Sequence, residues 1–179
     1  MGFAYDTGKG AEKSDEEKVR WYRQAADQGI SAAQYCLGLA YEHGEGVEQS
    51  DKEAVRWYQK AADQGDADAQ FCLGFAYKYG EGVEQSDKEA VRWYRQAADQ
   101  GDADAQFCLG LDYEKGRGVE PSDEEAVQWY RRAADQGYEK ARFNLTSLRK
   151  AITLRDFNPD EKEIEAAFAA AEAKAAEHK

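Results

Sequence analysis

The chain has 179 residues, an apolar fraction of 42% with 12% aromatics, and a formal net charge of −12. That much apolar material builds a core and excludes wholesale disorder, and no window approaches the ~18 uninterrupted apolar residues of a membrane span. A field of this sign repels phosphate backbones and anionic bilayers, which sets nucleic acid and membrane aside, and attracts basic or amphipathic peptides.

In chain order, Met1-Gly2-Phe3-Ala4-Tyr5 lacks the basic and apolar regions of a secretory leader. It matches instead the middle of later phrases, Gly38-Leu39-Ala40-Tyr41 and Gly74-Phe75-Ala76-Tyr77. The chain thus reads as starting halfway through a repeated unit, as a trimmed chain or fragment would. A removed leader would be invisible, so a periplasmic or secreted location stays open beside a cytoplasmic one. Gly8-Lys9-Gly10-Ala11 predicts a glycine turn. Ser14 with Glu17 then predicts a capping box, a helix start in which the Ser side chain and the Glu three residues on satisfy backbone donors reciprocally.

The same device returns at Ser50/Glu53, Ser86/Glu89 and Ser122/Glu125, each time ahead of Val-x-Trp-Tyr-x-x-Ala-Ala. Ala90, Trp93, Tyr94, Ala97 and Ala98 fall on one helical face, and Gly101 stops the helix, as Gly29, Gly65 and Gly137 do in their units. The tryptophans Trp21, Trp57, Trp93 and Trp129 stand 36 residues apart. A fixed period in the range of about 20–50 residues is the signature of stacked repeats. Their indoles are expected in the core between successive units.

Between these helices lies another. Asp66–Tyr79 has Ala69, Leu73, Ala76 and Tyr77 on its core stripe. Gly74 costs it about 1 kcal/mol of helix propensity, which makes sense where a second helix approaches closely. Gly80-Glu81-Gly82-Val83 predicts the connecting turn, with Val83 as a buried plug, and recurs at Gly44–Val47 and Gly116–Val119. A phosphate loop is not indicated, because no strand precedes these glycines and no Lys-Ser/Thr follows.

The array Ala-x-x-x-Leu-Gly-x-x-Tyr-x-x-Gly-x-Gly-Val…Ala-x-x-Trp-Tyr-x-x-Ala-Ala-x-x-Gly resembles the Sel-one-like repeat (SLR), a relative of the tetratricopeptide repeat. The resemblance covers residues 1–150, with a truncated first unit and a variant final first-helix at Tyr138–Lys150. It implies an all-α, right-handed α/α superhelical solenoid and an adaptor role in assembling protein complexes. Residues 51–74 and 87–110 differ only at Gln59/Arg95 and Lys60/Gln96, so recent duplication or deliberate idealisation is open. In the tail Thr146 replaces the expected glycine and the helix is predicted to run to about Leu154. A final helix, Glu163–His178, with an Ile164, Ala167, Phe168, Ala171 stripe, is expected to cap the array over residues 151–179.

If the superhelix resembles that of tetratricopeptide proteins, the outer faces of the first helices line its concave surface. The candidate partner-binding residues are then Tyr35, Leu39, Asp68, Phe71, Phe75, Lys78, Tyr79, Asp104, Phe107, Leu111 and Glu114. They form an aromatic row, Phe3–Tyr35–Phe71–Phe107–Phe143, beside a second row of Leu39, Phe75 and Leu111, with acidic flanks. Packing of the first row between neighbouring first helices is the structural alternative. An exposed apolar stripe with charged edges suits a peptide or partner helix.

Cys36, Cys72 and Cys108 share one slot, so neighbours lie too far apart for a disulfide and read as buried free thiols. That pattern mildly favours a reducing compartment. His43 and His178 are the only imidazoles and no spacing suggests a metal site; no cofactor and no catalytic residue is assigned. The leading function is a non-catalytic protein-interaction scaffold. A structural or engineered array, and weak hydrolysis of β-lactams or cell-wall fragments as linked to cysteine-rich relatives, are the alternatives. Self-association through the truncated N-terminal end is also open.

Overall fold

The computed structural model describes the backbone of residues 7–157 and the side chains of residues 14–154. Among these the chain forms eight α-helices and no strand: α1 (Thr7–Asp27), α2 (Ser31–His43), α3 (Asp51–Ala62), α4 (Ala67–Tyr79), α5 (Asp87–Asp99), α6 (Ala103–Lys115), α7 (Asp123–Asp135) and α8 (Glu139–Phe157). Each helix packs on its neighbours in sequence, and the tightest pairs are α2 with α3, α4 with α5 and α6 with α7. The result is the all-α solenoid of helical hairpins that the period foretold.

The second helices start as expected, but only half of each capping box forms. Ser50, Ser86 and Ser122 accept from the backbone N–H of Glu53, Glu89 and Glu125 at 3.2–3.3 Å. The Ser backbone N–H is not left for the glutamate. It donates to the carbonyl of Tyr41, Tyr77 or Tyr113 at the end of the preceding helix. Glu53 and Glu89 turn outward to Arg56 and Arg92. A backbone acceptor held by the hairpin has displaced the local side chain.

Gly38, Gly74 and Gly110 are buried beneath tyrosines of the following helix. A methyl group at Gly74 would collide with the ring of Tyr94, and the same holds for Gly38 with Tyr58 and Gly110 with Tyr130. The glycine cost in helix propensity therefore secures the close approach of the two helices. In the connecting turns the first glycine, such as Gly80 with φ of 75°, caps the helix in the left-handed conformation. The second serves the next level of packing: a Cβ at Gly46, Gly82 or Gly118 would strike the backbone at Asp15, Asp51 or Asp87 on the previous unit's second helix. Val83 is half-buried rather than a sealed plug.

Trp57, Trp93 and Trp129 are buried, each against the preceding unit. Trp93, for example, joins Ala54, Tyr58, Ala61, Ala62, Ala69 and Leu73. Basic side chains cover the indoles, with Lys60 at 3.7 Å from Trp57, Arg92 at 4.4 Å from Trp93 and Arg132 at 4.5 Å from Trp129. Trp21 differs from the expected buried indole: it is 70% exposed.

Stacking also uses a polar thread. The buried amides of Gln34, Gln70 and Gln106 donate to the carbonyls of Ala26, Ala62 and Ala98, at the end of the previous second helix. Their oxygens accept from Gln64, Gln100 and Gln136 at 2.7–2.9 Å. Each buried glutamine thus ties the helix before it to the helix after it, with both ends of the amide used.

Two expectations fail at the beginning of the chain. Gly8 to Gly10 forms no turn and Ser14 caps nothing, because α1 runs unbroken through both. In later units the second turn glycine lies against the preceding unit's second helix. At the other end α8 passes the expected Leu154 and reaches Phe157. The proposed capping helix, Glu163–His178, lies outside the described residues.

Gly74→Ala adds helix propensity but forces Tyr94 to move. We expect urea denaturation to show a net loss of about 1–3 kcal/mol, as for an overpacked core. A gain in stability would refute the glycine–tyrosine contact as a close-packed one.

Candidate partner-binding site

The candidate residues divide by how deeply the hairpins claim them. Tyr35, Phe71 and Phe107 are half-buried, with ring centroids 6.0, 5.7 and 5.9 Å from those of Tyr58, Tyr94 and Tyr130. Each ring meets the tyrosine of its own hairpin's second helix and also packs toward the next unit, Phe107 lying 5.1 Å from Tyr138 at the start of α8. Leu39 and Leu111 are also half-buried, against the clusters around Trp93 and Tyr130. Phe75 (39% exposed) and Tyr79 (57% exposed) stay open, with centroids 4.5 Å apart one helical turn from each other. Phe143 is 72% exposed on α8, and Phe3 lies outside the described residues.

The acidic flanks are partly committed. Asp104 accepts from the Tyr138 hydroxyl at 2.8 Å, Glu114 from Tyr130 at 2.5 Å, and Glu42 from Tyr58. Asp68 is exposed. Beside Phe75 lies a cleft of about 210 Å³, walled by Val55, Tyr58, Phe71 and Phe75 and rimmed by Glu42, Asp51 and Glu81. Burial pushes the Cys72 thiol at its base up to about 12, and the equivalent Cys108 thiol to about 11. The three cysteines are free, half-buried thiols, and protonated at neutral pH they make poor nucleophiles. Among the described residues no group of three or more His, Cys, Asp or Glu is placed to hold a metal, and no helix is long and apolar enough to cross a membrane.

Lys78 departs from its expected place on the open face. It is buried, and its Nζ lies 2.8 Å from Oδ1 of the buried Asp112 on α6. Two departures from the repeat create this pair. Lys78 stands where neighbouring units carry Glu42 and Glu114, and Asp112 where they carry Ala40 and Ala76. With the glutamate gone, the Tyr94 hydroxyl is left buried without a hydrogen-bond partner, whereas Tyr58 and Tyr130 each reach one. Reading each unit separately hid this; the signal was the simultaneous exchange at two slots in adjacent units.

Burial pushes the Asp112 carboxyl above the usual carboxylate range, outweighing the opposite pull of Lys78. Its proton is therefore held more tightly in the folded chain than in the unfolded one. The resulting stabilisation is present in acid and is lost as pH rises through the folded-state pKa. Desolvation thus offsets what the pair gains at neutral pH. Asp112→Ala, which strands the lysine, is expected to cost about 3 kcal/mol. Lys78→Glu combined with Asp112→Ala restores the pattern of the other units and should be neutral or stabilising, because Tyr94 regains an acceptor. Denaturant melts of the two single variants and the double close this cycle, and additive losses would contradict it.

The Sel1 repeat family model matches residues 1–30, 31–66, 67–102 and 103–138. A Sel1 repeat protein from Oxalobacter formigenes is 41% identical with a TM-score of 0.70, covering 74% of this chain and 53% of its own. The c5321 protein of uropathogenic Escherichia coli, described as a protective antigen with an SLR fold, is 39% identical with a TM-score of 0.72, over 73% of this chain and 28% of its own. Helicobacter pylori cysteine rich protein B shares the fold at 21% identity and a TM-score of 0.60, over 75% of this chain and 96% of its own. A search of curated proteins gave no match. This chain thus spans about half the length of the first of these relatives and less of the second. Sel1 repeat proteins generally serve as protein-interaction scaffolds and are typically non-catalytic. Four successive matched units, folded as stacked hairpins, establish that the chain belongs to the Sel1 repeat family.

Proposed function

We propose that this chain is a non-catalytic scaffold that holds a peptide or partner helix along the face of its first helices, centred on Phe75 and Tyr79. The observation that carries this reading is the open aromatic pair beside a cleft walled by apolar side chains, on a face where the neighbouring rings are already committed to the hairpins. Aromatic side chains with a polar handle contribute much contact area at low entropic cost, which suits an anchor. Leu39, Phe71, Phe107 and Leu111, half-buried, extend the apolar floor. Asp68, Asp104 and Glu114 bias the rim toward basic or amphipathic partners. Lys78 belongs to the support beneath this surface.

The serines at the helix starts act as caps, which leaves them no evident part in acyl transfer. Self-association through the N-terminal end would use Trp21, whose counterparts are covered by a preceding unit.

Phe75→Ala combined with Leu111→Ala should reduce capture of partners by about tenfold or more while helical content by circular dichroism stays unchanged. Capture that survives both changes would remove this face from the account. Failure of the native chain to capture any partner would favour a purely structural array.

A further inference from the structure

The cleft beside Phe75 has a counterpart at the same repeat positions in the unit before it, and the equivalent positions one unit later hold an internal ion pair. In the earlier one, of about 110 Å³, Lys18 stands on the wall and its Nζ is 2.8 Å from Asp15. At the same positions one unit later, the Lys78 ammonium lies 2.8 Å from Asp112 and 5.5 Å from the centre of the Tyr94 ring. Both therefore contain a lysine of this chain facing a carboxylate. In the middle unit the two slots that supply those lysines hold Ala54 and Glu42. That cleft has a volume of about 210 Å³, against about 110 Å³ in the unit before, and its rim carries Glu42, Asp51 and Glu81 with no cation among its lining residues. Glu42 is met only by the Tyr58 hydroxyl, and no ion pair within 4.0 Å engages Asp51 or Glu81 among the described residues.

We propose that this middle cleft is a receptor for one lysine side chain of the bound partner. The lysine stem would lie along Val55 and Phe75, as long charged side chains do on apolar surface. Its ammonium would face Glu42, Asp51 and Glu81 beside the Tyr58 ring. The inference rests on the scaffold reading and gives its partner a chemistry: a basic residue next to an apolar segment that covers Phe75 and Tyr79.

The test is a ¹H–¹⁵N correlation titration with Nα-acetyl-lysine methylamide and its neutral isostere, Nα-acetyl-norleucine methylamide. The lysine amide should shift Asp51, Val55, Phe75 and Glu81, with affinity that falls as salt is added. The norleucine amide should bind at least about tenfold more weakly. Glu42→Lys with Ala76→Asp copies the later unit's own ion pair into the cleft and should abolish the response while the helical spectrum is retained. Should that pair variant fail to fold, Asp51→Asn with Glu81→Gln makes the same test without repacking. Equal response to both amides, no response to the lysine amide at any soluble concentration, or a response that survives in the folded variant would overturn the proposal. Partner capture that is lost in Phe75→Ala/Leu111→Ala but kept in Glu42→Lys/Ala76→Asp would also overturn it, and would leave the scaffold reading standing.

Discussion

Each hairpin closes by laying a tyrosine ring on a residue that has no side chain. The contacts of Tyr58 on Gly38, Tyr94 on Gly74 and Tyr130 on Gly110 set how near the two helices of a unit come. Everything outside depends on that distance. It brings the first-helix rings of Tyr35, Phe71 and Phe107 onto the same tyrosines. It also holds the tyrosine carbonyl at the end of the first helix where the cap serine can donate to it. Trp57, Trp93 and Trp129, one position before Tyr58, Tyr94 and Tyr130, pack instead into the preceding unit. Adjacent residues thus divide the labour of closing a unit and joining it to the last one.

Hydrophobic stacking alone would leave the register between units loosely specified, because alanine-rich surfaces slide at little cost. Two directional devices remove that freedom. The buried glutamines bind fixed carbonyls on one side and a glutamine amide on the other. The second turn glycine admits the backbone of the previous unit so closely that only one approach is allowed. The solenoid is therefore a chain of nearest-neighbour contacts, as expected for repeat arrays, and its uniformity extends to polar detail.

Against such uniform units, departures from the pattern stand out. The exchange of Glu for Lys at 78 and of Ala for Asp at 112 moves charge into the interior and leaves the Tyr94 hydroxyl without a partner. The Lys78 slot holds Glu42 in the unit before, where the cleft beside Phe75 has only carboxylates on its rim.

The primary sequence by itself determined the helical hairpins, the stops at glycine and the burial of Trp57, Trp93 and Trp129, though not the exposure of Trp21. These follow from the periodicity of apolar side chains and from local cap chemistry, both of which act within a few residues. It also told which residues of the first helices lie away from the core stripe, such as Phe75 and Tyr79. Only the tertiary structure decided which of those are free, since Tyr35, Phe71 and Phe107 were claimed by rings some 23 residues further on. It likewise decided that Ser14 and the glycines Gly8 and Gly10 lie within a helix, that Glu53 and Glu89 face arginines, and that Lys78 is buried. The physical reason is common to all: a polar or aromatic group takes whichever partner the packed neighbour presents, and periodicity records a face without recording what lies across from it.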